Sequence, residues 1–234
     1  ATLPTSSANM ASAVRRMPKR SRMSAAKRRA AILGGTFNPI HNGHLYLVRA
    51  FADALALDEV ILMISNIPPH KAAPDLASNA DRLAMAACAQ ASEPRIRPCD
   101  LELRRGGKSY TANTLRYLTR RHRDTEYYFL TGADMFLTLP AWYRPREIFR
   151  RAVICASPRV GQPLAELEAF APQLHAMGAR TILLPVNPPP VSSTEIRARA
   201  GQPIDGLVPP AVAEYIASHG LYRAPKGETA HDAH

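Results

Sequence analysis

From residue 30 onward, short apolar runs alternate with segments of helical periodicity, and no other feature of the sequence restricts the fold so strongly. The apolar runs lie at Ala30 to Leu33, Val60 to Ile64, Tyr127 to Thr131, Ala152 to Ala156 and Thr181 to Leu184. Helical patterns lie at Leu45 to Leu57, Asp81 to Ala91, Thr111 to Arg121, Pro163 to Ala176 and Ala211 to His219. These runs are too uniformly apolar to leave one face wet. The pattern therefore predicts an α/β domain whose parallel sheet is covered by helices on both faces. In such a sheet, ligands bind beyond the carboxyl ends of the strands.

Charge is concentrated rather than spread. The chain carries 30 Lys and Arg against 19 Asp and Glu, a net charge of +11, yet eight of those cations and no acid fall within the first 30 residues. The body is left only mildly basic. We expect residues 1–29 to be a disordered basic extension, residues 30–223 one folded domain, and residues 224–234 a flexible tail. A nonenzymatic protein that binds nucleic acid through the extension is the reading from another class. The phosphate motifs described next lie outside that segment, so no nucleic-acid partner is expected. Cys88, Cys99 and Cys155 are widely spaced, with no CxxC pair, which points away from a zinc site and towards a reduced, cytoplasmic protein. No apolar run approaches the roughly 18 residues of a membrane helix, so no membrane partner is expected. A homo-oligomer is left open.

The most informative stretch is Gly34-Gly35-Thr36-Phe37-Asn38-Pro39-Ile40-His41-Asn42-Gly43-His44, placed after the first strand and before an amphipathic helix. Paired glycines permit a tight turn and a close backbone approach. The following helix aims its N–H groups and positive dipole end at the same place. His41 and His44 add donors for phosphate oxygens. A second anion cradle is expected where Ser193 or Thr194 starts a helix with no capping-box partner at residue 196 and with Arg197 in its first turn or so. In the loop at 68–71, two prolines stiffen the chain that aims His70 and Lys71.

This stretch resembles the HxGH signature of the nucleotidyltransferase superfamily, which transfers adenylyl or cytidylyl groups to phosphorylated acceptors. Within it the chain is similar to the nicotinate-nucleotide adenylyltransferase family. The resemblance continues through Asn66-Ile67-Pro68-Pro69-His70-Lys71, Ser109-Tyr110-Thr111, Gly132-Ala133-Asp134-Met135-Phe136, Pro140-Ala141-Trp142-Tyr143 and Ser192-Ser193-Thr194-Glu195-Ile196-Arg197. It closes with Val208-Pro209-Pro210 and Gly220-Leu221-Tyr222. The family usually has Asp where this chain has Asn38. In this turn we expect that side chain to bond local backbone, which Asn also does.

The resemblance implies a single doubly wound, Rossmann-like domain that joins ATP and nicotinate mononucleotide, with Mg2+ carried on the phosphates of ATP and no carboxylate cage for a metal. It implies His41, His44, Lys71 and Arg197 as the catalytic set. It puts Gly35, Thr36, Phe37, Gly132, Asp134, Ser193 and Thr194 on ATP, with Asp134 on the ribose or a magnesium-bound water. The acceptor falls to Asn66, Tyr110, Thr111, Trp142 and Tyr143. Trp142 would cover the pyridine, and N–H groups around Tyr110, Thr111 and Tyr143 would meet the carboxylate. Nicotinamide mononucleotide and phosphopantetheine are the rival acceptors. A class I aminoacyl-tRNA synthetase shares a similar histidine motif, but the chain is short for one and has no KMSKS-like segment.

Overall fold

The structure, a computed structural model, describes residues 27–66, 76–159, 161–186, 188–199 and 201–223. In chain order the elements are β1 (Arg28–Gly35), α1 (Asn42–Ala54), β2 (Glu59–Ile64), α2 (Asn79–Ala89), β3 (Ile96–Cys99), α3 (Leu101–Arg105), α4 (Thr111–Arg121) and β4 (Thr125–Gly132). They continue as α5 (Ala133–Thr138), α6 (Pro145–Arg151), β5 (Ala152–Ser157), α7 (Leu164–Ala176), β6 (Thr181–Leu183), α8 (Ser193–Ala198) and α9 (Pro210–Ser218). A 3-10 turn, Leu139–Ala141, separates α5 from α6.

The strands form one parallel sheet in the order β3-β2-β1-β4-β5-β6. Because the order reverses between β1 and β4, the crevice beyond their carboxyl ends is the ligand position that this topology creates. All five expected strands are present. The sixth, β3, was missed because Ile96-Arg97-Pro98-Cys99 has neither alternation nor an apolar run. A proline survives there because β3 is an edge strand and needs no N–H on its open side.

Each inner strand divides its side chains between two cores. In β1, Ala31 and Leu33 face one core while Ala30 and Ile32 face the other. The first core is closed by Leu45, Val48 and Phe51 of α1, Met85 and Ala86 of α2, and Val212 and Ile216 of α9. The second is closed by Leu115 and Leu118 of α4, Phe136 of α5, Ile148 and Phe149 of α6, and Leu167 and Leu174 of α7. This two-sided burial is why the strands carry apolar residues at every position.

Arg28 and Arg29, expected in the basic extension, instead open β1. Their charge is compatible with a strand because each is held: Arg28 pairs with Glu59 at 2.8 Å, and the Arg29 guanidinium donates to the Tyr128 hydroxyl at 2.6 Å. The rest of the expected extension, residues 1–26, and the tail at 224–234 lie outside the described residues. Lys71 and residues 67–75 around it do as well. Among the described residues, no helix is long and apolar enough to cross a membrane.

Candidate active site

The site begins where β1 ends. Neither Gly34 nor Gly35 takes up a left-handed conformation, which corrects the expectation that the glycine pair makes the turn. Phe37 does so instead, with φ of 46°, a conformation that a bulky side chain adopts only when its surroundings hold it. The Phe37 ring is buried, and a Cβ on Gly35 would come within 3.2 Å of it. Gly35 thus makes room for the ring, while a Cβ on Gly34 would meet nothing within 4 Å. Gly35, Thr36 and Phe37 therefore sit together at the carboxyl end of β1, one strand from Gly132 at the end of β4.

Three remote segments hold the next two residues. The Asn38 side chain is buried, and its Oδ1 accepts from the Ala77 N–H at 3.0 Å and the Tyr222 hydroxyl at 2.8 Å. The Asn38 carbonyl accepts from the Arg197 guanidinium at 2.9 Å, and the Pro39 carbonyl from the Ser193 hydroxyl at 2.9 Å. These bonds correct the expectation of a local backbone contact, since both Oδ1 partners come from distant parts of the chain. An aspartate oxygen could accept the same two bonds.

The histidine rings lie in contact, tilted by 30° to each other. α1 starts at Asn42, earlier than expected, so His41 is its N-cap residue and His44 its third residue. The two rings lie 3.7 Å apart between centroids. The His41 N–H donates to His44 Nδ1 at 3.3 Å, which leaves the proton of a neutral His44 on Nε2. A Cβ on Gly43 would approach His41 Nδ1 to 3.1 Å and Val191 to 3.2 Å. Glycine between the histidines is therefore what lets His41 lie flat against the helix start. His41 is only 8% exposed, and burial pulls its pKa from 6.5 down to about 4. It is neutral at pH 7, and its Nδ1 has no partner among the described residues.

Sequence reasoning missed Arg82. Its guanidinium is fully buried in α2 and donates to the Thr36 carbonyl at 2.9 Å, the Ser65 carbonyl at 2.8 Å and Asn79 Oδ1 at 2.5 Å. It joins the ends of β1 and β2 and fixes the backbone on which the phosphate turn is built. Burial lowers its pKa, but a guanidinium keeps its proton, so a positive charge lies beneath the turn. The signal was present in the sequence: Arg82, Met85, Ala86 and Ala89 share the buried stripe of α2, where an arginine is out of place.

The expectation of an uncapped helix at 193–194 is corrected. α8 is capped by Ser192, whose side chain accepts from the Glu195 N–H at 3.1 Å; the cap lies one residue earlier than the spacing considered. Ser193 docks α8 on the turn through Pro39, and Thr194 Oγ1 accepts from Arg197 at 3.4 Å. Asp134 is exposed in the first turn of α5 and pairs with Arg159, a second residue the sequence reading overlooked.

The expected acceptor residues gather on the other side. The Asn66 N–H donates to Ser109 Oγ at 3.0 Å and its side chain to the Gly107 carbonyl at 3.1 Å. The loop between α3 and α4 is thereby tied to the end of β2. Thr111 opens α4, so its N–H is one that no helical carbonyl can satisfy. The Tyr110 and Tyr143 rings meet at 4.5 Å. Trp142 is half-buried, edge-on to Phe129 at 6.0 Å, and its Nε1 donates to Thr138 Oγ1 at 3.2 Å. Among the described residues, no group of three or more His, Cys, Asp or Glu could hold a metal.

The profile of the cytidylyltransferase-like family matches residues 32–199. A protein of Synechococcus sp. (strain JA-2-3B'a(2-13)) named probable nicotinate-nucleotide adenylyltransferase is 41% identical over 206 residues, covering 85% of this chain and 98% of that protein. One of the same name from Neisseria meningitidis serogroup B is 38% identical over 201 residues, covering 83% and 98%. Among solved structures, the Plasmodium falciparum nicotinic acid mononucleotide adenylyltransferase complexed with NaAD matches with a TM-score of 0.66 at 18% identity. That match covers 83% of this chain and 97% of the other, a likeness of fold.

The neutral His41 makes stability pH-dependent. An unfolded histidine titrates near 6.5, whereas the buried one titrates near 4. As pH falls through that window the unfolded chain takes up a proton that the folded chain refuses. Stability is therefore complete above pH 6.5 and should drop by about 3 kcal/mol on the way to pH 4. Denaturant midpoints measured across the window should slope less in His41→Asn; an unchanged slope would contradict the assignment. At Asn38, substitution by Asp keeps both Oδ1 bonds, so kcat/KM should change by less than about tenfold. A larger gain would mean that a carboxylate does chemical work at that position.

Proposed function

Because the chain belongs to the cytidylyltransferase-like family and, within it, to the nicotinate-nucleotide adenylyltransferases, we propose that it adenylylates nicotinate mononucleotide with ATP, a step of NAD biosynthesis. An oxygen of the mononucleotide phosphate attacks the α-phosphorus of ATP. The bond from that phosphorus to the β-phosphate bridging oxygen breaks, pyrophosphate leaves, and nicotinate adenine dinucleotide remains. The attacking phosphate monoester needs no general base, since its second pKa of about 6 leaves it mostly ionised at neutral pH. The protein aligns two anions and offsets charge that develops on the triphosphate.

The observation that carries this reading is the locked histidine pair at the start of α1, beyond the carboxyl end of β1. With Nδ1 of His44 accepting from the backbone, its Nε2–H is the donor offered to a triphosphate oxygen. His41, held neutral by burial, is a second donor that does not repel a cationic neighbour. Arg197 of α8, bonded to the Asn38 carbonyl, and Lys71 add charge, and the buried Arg82 contributes a fixed positive potential beneath the turn. ATP lies along Gly35, Thr36, Phe37 and Gly132, with Asp134, Ser193 and Thr194 at its edge. Mg2+ enters as part of the ATP complex. Among the described residues, no cluster of three or more His, Cys, Asp or Glu offers it a cage.

On the acceptor side, Trp142 and the Tyr110–Tyr143 pair supply flat apolar surface for the pyridine. N–H groups near Tyr110, Thr111 and Tyr143 meet its carboxylate, and Asn66 shapes the loop. The enzyme acts in the cytoplasm, where Cys88, Cys99 and Cys155 remain the free thiols they are in the structure.

Two measurements test the reading. Pyrophosphate release should be at least about a hundredfold faster in kcat/KM with nicotinate mononucleotide than with its amide, because an amide NH2 facing N–H donors is left unpaired. Equal use of the two would overturn the acceptor assignment, and release with phosphopantetheine alone would overturn the pyridine altogether. His44→Ala should lose about 2–4 kcal/mol of transition-state stabilisation, as removal of one preorganised donor does. Normal turnover by the folded variant would remove His44 from the machinery.

A further inference from the structure

An open groove of about 800 Å³ lies between the solvent faces of α3 and α4, and none of the residues assigned to adenylyl transfer lines it. Arg104 and Arg105 of α3 and Arg116, Arg120 and Arg121 of α4 converge on it around Tyr117, and no carboxylate lines it. The α4 arginines come together because positions 116, 117, 120 and 121 lie on one side of the helix, while Ala112, Leu115 and Leu118 on the other are buried. Arg104 and Arg105 have acids on or beside their own helix, Asp100 at 3.1 Å and Glu102 at 3.7 Å. Among the described residues, the Arg116 side chain hydrogen-bonds only to the Asn113 side-chain oxygen, at 3.2 Å. No acid among the described residues pairs with Arg116, Arg120 or Arg121.

We propose that this groove is a second, noncatalytic binding site for a nucleoside polyphosphate. A guanidinium matches a phosphate group with two parallel hydrogen bonds, and three guanidiniums without an acidic partner among the described residues suit a chain of phosphates. Tyr117 is 47% exposed in their midst and offers one face for one heterocycle. The groove falls in the size range of small-molecule sites. A single aromatic platform is too few for single-stranded nucleic acid, which stacks successive bases on successive rings. The two walls are joined by residues 106–110, and Asn66 is bonded to Gly107 and Ser109 within that loop. A ligand that draws α3 and α4 together therefore acts on the acceptor side of the catalytic crevice, changing the acceptor KM more than kcat.

Calorimetric titration of the full chain with ATP at low salt tests the proposal. The unaltered protein should bind two equivalents, one in the crevice and one in the groove. The double variant Arg120→Gln, Arg121→Gln should bind one equivalent and keep its turnover at saturating substrates within about twofold. Tyr117→Ala should weaken the second equivalent at least about fivefold while leaving inorganic tripolyphosphate binding unchanged. A single equivalent in the unaltered protein, or a second equivalent that survives the double substitution, would overturn the site. Tighter groove binding by a short oligothymidylate than by ATP would overturn the ligand class in favour of nucleic acid.

Discussion

The turn after β1 is held in shape almost entirely from outside itself. Phe37 carries a left-handed backbone, and the carbonyls of Thr36, Asn38 and Pro39 all accept from side chains that arrive from α2 and α8. Asn38 Oδ1 takes two further donors, one from the segment before α2 and one from the residues after α9. Each bond is modest, roughly 1 kcal/mol for neutral partners and more for a guanidinium. Together they fix a strained loop at the one place in a doubly wound sheet where a ligand can lie.

That arrangement explains why the chemistry can be electrostatic. A phosphate turn made only of glycines would adapt to its ligand and lose entropy in doing so. Here the donors stand in place beforehand, and the charge beneath them cannot move. Burying Arg82 among neutral acceptors is costly, since a desolvated charge without a counter-ion is normally avoided. An anionic substrate at the turn would offset that cost, so the buried cation and the triphosphate are complementary. His41 follows the opposite rule: it meets burial by giving up its charge. A neutral donor and a buried cation thus support the same turn by opposite responses to burial.

On the proposed reading, the same sheet order puts the two substrates on opposite sides of one crevice. The residues proposed for ATP come from the ends of β1 and β4 and from α8, whereas those proposed for the acceptor come from the end of β2 and the loops around α4 and the 3-10 turn. Arg82 and Asn66 are the stitches between strand ends and loops. They make the distance between half-sites a property of the sheet rather than of the loops.

Alternation of apolar runs with helical periods was enough to specify five strands, five helices and a sheet covered on both faces, because two-sided burial is written into consecutive residues. The HxGH stretch was equally legible, since a strand end followed by a histidine-bearing helix start is a local feature. β3 escaped because an edge strand makes few demands on its residues, and the Ser192 cap escaped by one position. Which glycine mattered, and why, was not readable. Only packing shows that Gly35 yields space to Phe37 and Gly43 to His41, and that the strain of the turn sits on Phe37. Arg82 left a trace as an arginine in the buried stripe of α2, but its partners, like those of Arg159 and Tyr222, were hidden. A side chain's partner tens of residues away is chosen by the sheet order, and a linear pattern carries no record of which strand ends will be brought together.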